Sequence, residues 1–200
     1  MNEYRRYAIA VLFLIGAIIL IVLGFNLIRN LFKEDEAPRP EQTVKTINLL
    51  DAGRSGKPVQ FTIRGSIVGD EEHRSIRITV DGSQRKAEVL QGYNDQVIKT
   101  QESTNTPQAY EAFVAAINGG GFTSNVNAQG RGDEAQSCPL GRRLNYEVAP
   151  GTEDSFRIWS TSCGRNQGTF TGNSNLIQTL FQRQIPEYNV FVAGIKLSSN

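Results

Sequence analysis

The stretch that decides the fold class is Ser75-Ile-Arg-Ile-Thr-Val-Asp-Gly-Ser-Gln-Arg-Lys-Ala-Glu-Val89. Ile76, Ile78 and Val80 alternate with Arg77 and Thr79, the period-two pattern of a strand with one buried and one polar face. Asp81-Gly82 follows as a hairpin signal, since a type I′ turn takes positive φ at both central residues. Pairing Val80 with Ser83 or with Arg85 puts Ala87 and Val89 on the isoleucine face in either case, so an antiparallel hairpin survives uncertainty in turn length.

Outward from this hairpin the same alternation continues. Val59, Phe61 and Ile63 mark a strand over 59–67, and a further strand is expected over 96–102. Leu144, Tyr146 and Val148 mark one over 143–149; Phe156 and Ile158 mark one over 155–161, joined to it through Pro150-Gly151. Between these sets, Tyr110, Phe113, Val114 and Ile117 fall at helical spacing, with Thr106 as N-cap, Pro107 at the first position and Gly119–Gly121 as the stop. A second helix is expected to open near Ser174, carry Leu176, Ile177, Leu180 and Phe181, and stop before Pro186. Residues 122–137 read as a long polar loop. Tyr188–Leu197 is apolar on both faces, which predicts a central strand. The expected class is α+β: a largely antiparallel sheet with about two packed helices.

The N-terminal fifth has a different character. Tyr7 to Phe25 runs 19 residues without a charge, amide or proline. A helix of that length spans roughly 28 Å, close to the ~30 Å of a bilayer core, and it has no polar face. The run exceeds a signal-peptide core and no small-x-small cleavage site follows it, so an uncleaved signal-anchor is expected. Arg5 and Arg6 precede the span; Arg29, Lys33, Arg39 and Lys45 follow it. Long C-terminal domains translocate largely regardless of flanking charge, so the N-terminus is assigned to the cytoplasm. The organisation expected is a cytoplasmic flank (1–6), a single transmembrane helix (7–28), a charged linker with Pro38 and Pro40 (29–43), and an extracytoplasmic α+β domain (44–200).

A short leader, one apolar helix and a β-rich domain with a late cysteine pair resemble type IV pilins in architecture. The Gly-Phe-Thr-Leu-Ile-Glu-like processing motif of that family is absent from Tyr4–Leu14, and Arg39-Pro40 interrupts a long stalk. The resemblance ends there.

Charge and cysteine content narrow the function classes. The 200 residues carry a formal net charge of +1. From Glu41 to Asn200 there are 16 Lys+Arg and 16 Asp+Glu. A nucleic-acid partner is therefore not expected, because phosphate binding calls for a concentrated basic surplus. Cys138 and Cys163 are the two cysteines. Without a C-x-x-C spacing or further ligands, they are expected to form a structural disulfide beyond the membrane, worth roughly 3.5 kcal/mol on a chain-entropy estimate. No metal site and no cofactor is expected.

Other motifs are weaker. Asp70-Glu71-Glu72-His73 reads as a solvated acidic turn, since its spacing does not match a calcium loop. Gly53-Arg-Ser-Gly56-Lys57 lacks the phosphate-loop spacing and has Pro58 where a hydroxyl belongs, so it too reads as a solvated turn. Ser174 lacks the glycine pattern of a nucleophile elbow, and His73 has no nucleophile paired to it. The candidate interaction residues are Arg131-Gly132-Asp133 in the polar loop, Trp159, and Arg142 and Arg143. Arg157 and Arg165 lie near these arginines, with Glu147, Glu153 and Asp154 offsetting them. Trp159 is out of phase with Phe156 and Ile158, and burial is expected. The function expected is a non-catalytic binding or scaffolding domain, anchored in the cell membrane, with an envelope or cell-surface protein as partner. A membrane-tethered envelope enzyme and a pilus- or secretion-like assembly subunit are the alternatives.

Overall fold

The computed structural model describes residues 46–128, 131–164 and 168–197. The expected flank, transmembrane helix and linker (residues 1–43) and Arg165 lie outside the described residues. Among the described residues no helix is long and apolar enough to cross a membrane.

The described chain is α+β. Helix α1 (Leu49–Arg54) precedes four strands: β1 (Val59–Arg64), β2 (Arg74–Val80), β3 (Gln84–Gln91) and β4 (Gln96–Thr104). Helix α2 (Pro107–Gly119), a 3-10 turn (Glu134–Gln136), β5 (Arg143–Val148), β6 (Phe156–Thr161), α3 (Ser174–Gln182) and α4 (Tyr188–Phe191) complete it. The six strands form one antiparallel sheet in the order β4-β3-β2-β1-β5-β6.

Alternation puts one apolar row on one face. Phe61, Ile78 and Tyr146 are cross-strand partners, as are Val59, Val80 and Val148, and all six are fully buried. The helices bring Tyr110, Phe113, Ile117, Ile177 and Phe181 to the same core. Phe61, Phe113 and Phe122 all make ring contacts to Phe181 with centroids 5.0–5.5 Å apart. Burial of this mixed aliphatic and aromatic core stabilises the domain, and the aromatic pairs add to it.

Helix α2 starts as its sequence signals indicate. Thr106 Oγ1 accepts a hydrogen bond from the Ala109 amide at 3.3 Å, and Pro107 occupies the first turn. Gly121, at φ +76°, lets the chain leave in a conformation costly for other residues. Helix α3 is capped by Asn173, whose side chain accepts from the Leu176 amide at 3.0 Å.

Four local expectations are corrected. Tyr188–Leu197 is not a central strand: it is the short helix α4 followed by turns, entered through Glu187 at φ +50°. A short apolar run is ambiguous between strand and helix by periodicity alone. Here Phe191 is buried, while Tyr188, Val192, Ile195 and Leu197 close one rim of the core. The second correction is α1, which takes in Gly53 and Arg54 of the expected turn over 53–57, while Ser55 and Gly56 remain an exposed turn. Asn48 caps α1, and Gly53 is buried so close to α2 that a Cβ would stand 2.8 Å from Val114 Cγ1. With α4, this raises the helix count among the described residues to four.

The third correction is the β2–β3 turn. Val80 pairs with Arg85, and neither Asp81 nor Gly82 has positive φ. The Asp81 carboxylate organises the turn instead, accepting from the Ser83 and Gln84 amides at 2.7 and 2.8 Å. The fourth concerns His73. Asp70, Glu71 and Glu72 are exposed as expected of a turn, but His73 is buried.

Candidate functional site

The second face of the sheet is built from the positions between the apolar ones, and it is charged. Cross-strand pairing lines up Glu88, Arg77, Thr62, Asn145 and Trp159 in one row from β3 to β6. A second row runs Leu90, Ser75, Arg64, Arg143 and Thr161. Opposite charges at such positions stabilise a sheet. Arg77 Nε donates to Glu88 Oε2 at 2.8 Å, and Lys86 Nζ lies 3.1 Å from the other oxygen. Burial pushes the Glu88 carboxyl up, but these two cations outweigh it and hold it below its ordinary range.

Two segments roof part of this face. At the tip of the β3–β4 hairpin, Asp95 takes a left-handed conformation (φ +56°) and reaches Arg64 with two parallel hydrogen bonds of 2.8 Å. This fork geometry is the strongest form of an arginine–carboxylate pair. Tyr93, from the same tip, stacks on His73 with centroids 4.3 Å apart, and its hydroxyl donates to Val68 O at 2.9 Å. His73 Nδ1 lies 3.1 Å from the Ser66 carbonyl, which fixes that nitrogen as the donor in the neutral ring. Desolvation, with Arg143 and Arg64 adding to it, lowers the His73 pKa below its usual value.

The other roof is the segment 131–142. Cys138 and Cys163 form a disulfide with a Cα–Cα distance of 5.6 Å, tying the segment to the chain just past β6. Gly141 packs so tightly there that a Cβ would stand 2.4 Å from Cys138 Sγ. Glu134 pairs with Arg157, whose Nε is also 3.7 Å from Glu147. The Ile67 amide donates to Pro139 O at 2.7 Å, joining this roof to the loop before His73.

The interaction candidates therefore gather around one feature. Trp159 and Arg143 are buried on the charged face, Arg142 is exposed at the foot of the roof, and Arg131, Gly132 and Asp133 lie within it. The Asp133 carboxylate accepts from the Ala135 amide at 3.0 Å, so it serves as a cap of the 3-10 turn. Arg64, Asp95, His73 and Asn145 belong to the same site but were not expected. The alternation of Arg64 with the apolar positions of β1 was the available signal; nothing in the sequence linked it to Asp95.

The two edges of the sheet differ. Beyond β6, the amides of Thr169 and Phe170 both donate to Trp159 O at 2.8 and 2.9 Å, and Gly168 bridges to Ser160. Beyond β4 no strand is paired among the described residues. The five residues Gln96–Thr100 are all exposed, including Val97 and Ile98. A bulge interrupts the β3–β4 register at Val89/Leu90, leaving Lys99–Thr104 as its regular part. Lys99 Nζ donates to Phe191 O at 2.6 Å and Gln101 Nε2 to Pro186 O at 2.8 Å, so the chain around α4 flanks β4 on the core side. Val190, in α4, is 67% exposed.

Among the described residues, no group of three or more His, Cys, Asp or Glu is placed to hold a metal ion. No protein-family model matches the chain, and no curated protein matches it.

Proposed function

We propose that the chain is a single-pass membrane protein whose domain lies outside the cytoplasm and binds an extended segment of an envelope or cell-surface protein, without catalysis. The observation that carries the binding role is the bare edge of β4. Its outward peptide groups form a ready ladder for another strand, and recognition of this kind takes affinity from the main chain and selectivity from alternate side chains. Val97, Ile98 and Val190 supply exposed apolar contacts beside it. The neutral balance of the domain suits a partner segment of low net charge.

Two features support the compartment. A disulfide persists in oxidising spaces, and the apolar run Tyr7–Phe25 has the length of a bilayer span. The test is topology in intact cells. Protease added outside should digest the domain, and the chain should stay with the membrane after carbonate extraction. Protection from external protease, or recovery in the aqueous fraction without detergent, would refute the assignment.

A further inference from the structure

Arg64 and Arg143 face each other across β1 and β5 on the charged face, but only one of them has a carboxylate. Arg64 holds Asp95 through both nitrogens of its fork. Arg143 is the more enclosed, at 4% exposure, and among the described residues no carboxylate lies within 4 Å of it. Its single side-chain hydrogen bond shown is from Nη2 to Gly65 O, at 2.7 Å. Its Nε–H is buried without a partner. Two residues along the same strand and on the same face, Asn145, at 1% exposure, has its Oδ1 buried without a partner as well.

The surroundings do not neutralise this cation. Glu134 is within electrostatic reach but commits its carboxylate to Arg157. His73, whose pKa burial lowers, offers it no negative charge. A buried guanidinium beside a like charge is costly, and an orphaned buried donor and acceptor each add to that cost. One group relieves all three terms: an anionic oxygen for Arg143 Nε–H, carrying a neighbouring O–H for Asn145 Oδ1.

We propose that Arg143 and Asn145 form a binding site for a small free oxyanion that retains a proton, of which hydrogen phosphate is the simplest. Arg143 supplies the charge and the donor. Asn145 selects the protonated ion, because an oxygen acceptor facing a fully deprotonated anion is repelled. Arg143 and Asn145 are both enclosed, so the site takes small ions and not their bulky esters. This site lies on the charged face and is independent of the β4 edge.

The experiment is titration calorimetry on the whole 200-residue chain in detergent, at constant ionic strength, with inorganic phosphate and with sulfate. Sulfate matches phosphate in shape and charge but has no proton near neutral pH. Saturable phosphate binding is expected, with sulfate weaker by about tenfold or more, the factor set by one buried acceptor left unsatisfied. Asn145→Ala should remove the preference between the two ions, and Arg143→Lys should weaken both. Should Arg143→Lys fail to fold, nitrogen-edited NMR of the unaltered chain gives the answer: one arginine Nε–H resonance should move and exchange more slowly on adding phosphate. An unmoved arginine spectrum would overturn the proposal, as would equal binding of phosphate and sulfate. Competition by glycerol phosphate would overturn the assignment to a free ion, since an enclosed site excludes the ester.

Discussion

The two edges of the sheet solve the same problem differently. At β6 the chain covers its own edge: residues 168–170 fold back and give two amides to one carbonyl, Trp159 O. At β4 no further strand pairs among the described residues, and Lys99 and Gln101 tie the strand to the chain around α4 on the core side. Unpaired strand edges invite association, and proteins usually shorten, charge or twist them. The bulge at Val89/Leu90 twists the beginning of β4, while the six residues from Lys99 onward carry no proline and only two charges. One edge is thus covered by its own chain, while the other is unpaired among the described residues, which is what the proposed docking role requires.

The largest effect expected from disturbing this contrast is at the closed edge. Gly168 has φ +93°, and a Cβ there would stand 2.3 Å from Trp159 O. Gly168→Ala should cost roughly 2–4 kcal/mol, because strain and a displaced edge segment combine; a shift in the urea midpoint measures it. Removing the disulfide by the double change Cys138→Ser, Cys163→Ser should cost about 2–4 kcal/mol by freeing the roof in the unfolded chain. A thermal melt of the reduced protein checks the same effect.

At the open edge, proline separates stability from binding. Successive residues of β4 point their N–H groups alternately toward β3 and outward, so Thr100→Pro and Ser103→Pro, three residues apart and of opposite orientation, should behave differently. One should lose about 3 kcal/mol or more by breaking a ladder bond. The other should melt close to the unaltered protein and lose only its partner. Two equal melts would contradict an edge with one free side.

A pH effect comes from beneath the roof. The folded-state pKa of His73 is depressed by burial, so the unfolded chain binds the proton more readily. The stability associated with the neutral ring is present above the ordinary value of about 6.5 and is lost as pH falls from there through the lower, folded pKa. Melting temperatures between pH 7 and pH 5 should decline with a slope that His73→Gln flattens. The smallest effect is that of Thr100→Lys, at an exposed position opposite Glu88, expected within about 0.5 kcal/mol of neutral in the urea midpoint.

Most of the sheet was legible because burial is one-sided. Ile76, Ile78 and Val80 alternate with polar residues for a physical reason, and the same reason places Phe61 and Tyr146 beside them. Helix α2 was legible from its cap, Thr106, and both α2 and α3 from apolar spacing; the Asn173 cap of α3 is seen only in the structure. Tyr188–Leu197 misled because residues closing the rim of a core need be apolar but follow no period. Helix α1 was hidden by its glycine: Gly53 looked like a turn residue, but its missing side chain makes room for Val114. Of the candidate site, the disulfide and the burial of Trp159 were readable. The Arg64–Asp95 pair, 31 residues apart, and the isolation of Arg143 depend on how a hairpin tip folds over a neighbouring strand, which local pattern does not encode.

The central claim is that β4 is the docking edge of an exported domain. A photoreactive amino acid placed in turn at Ile98, Thr100 and Glu102 on β4, and at Arg157 and Thr161 on β6, tests it in intact cells. Crosslinks to another protein from the β4 positions, with none from β6, are the result expected. Crosslinks confined to β6, or equal from both edges, would contradict it.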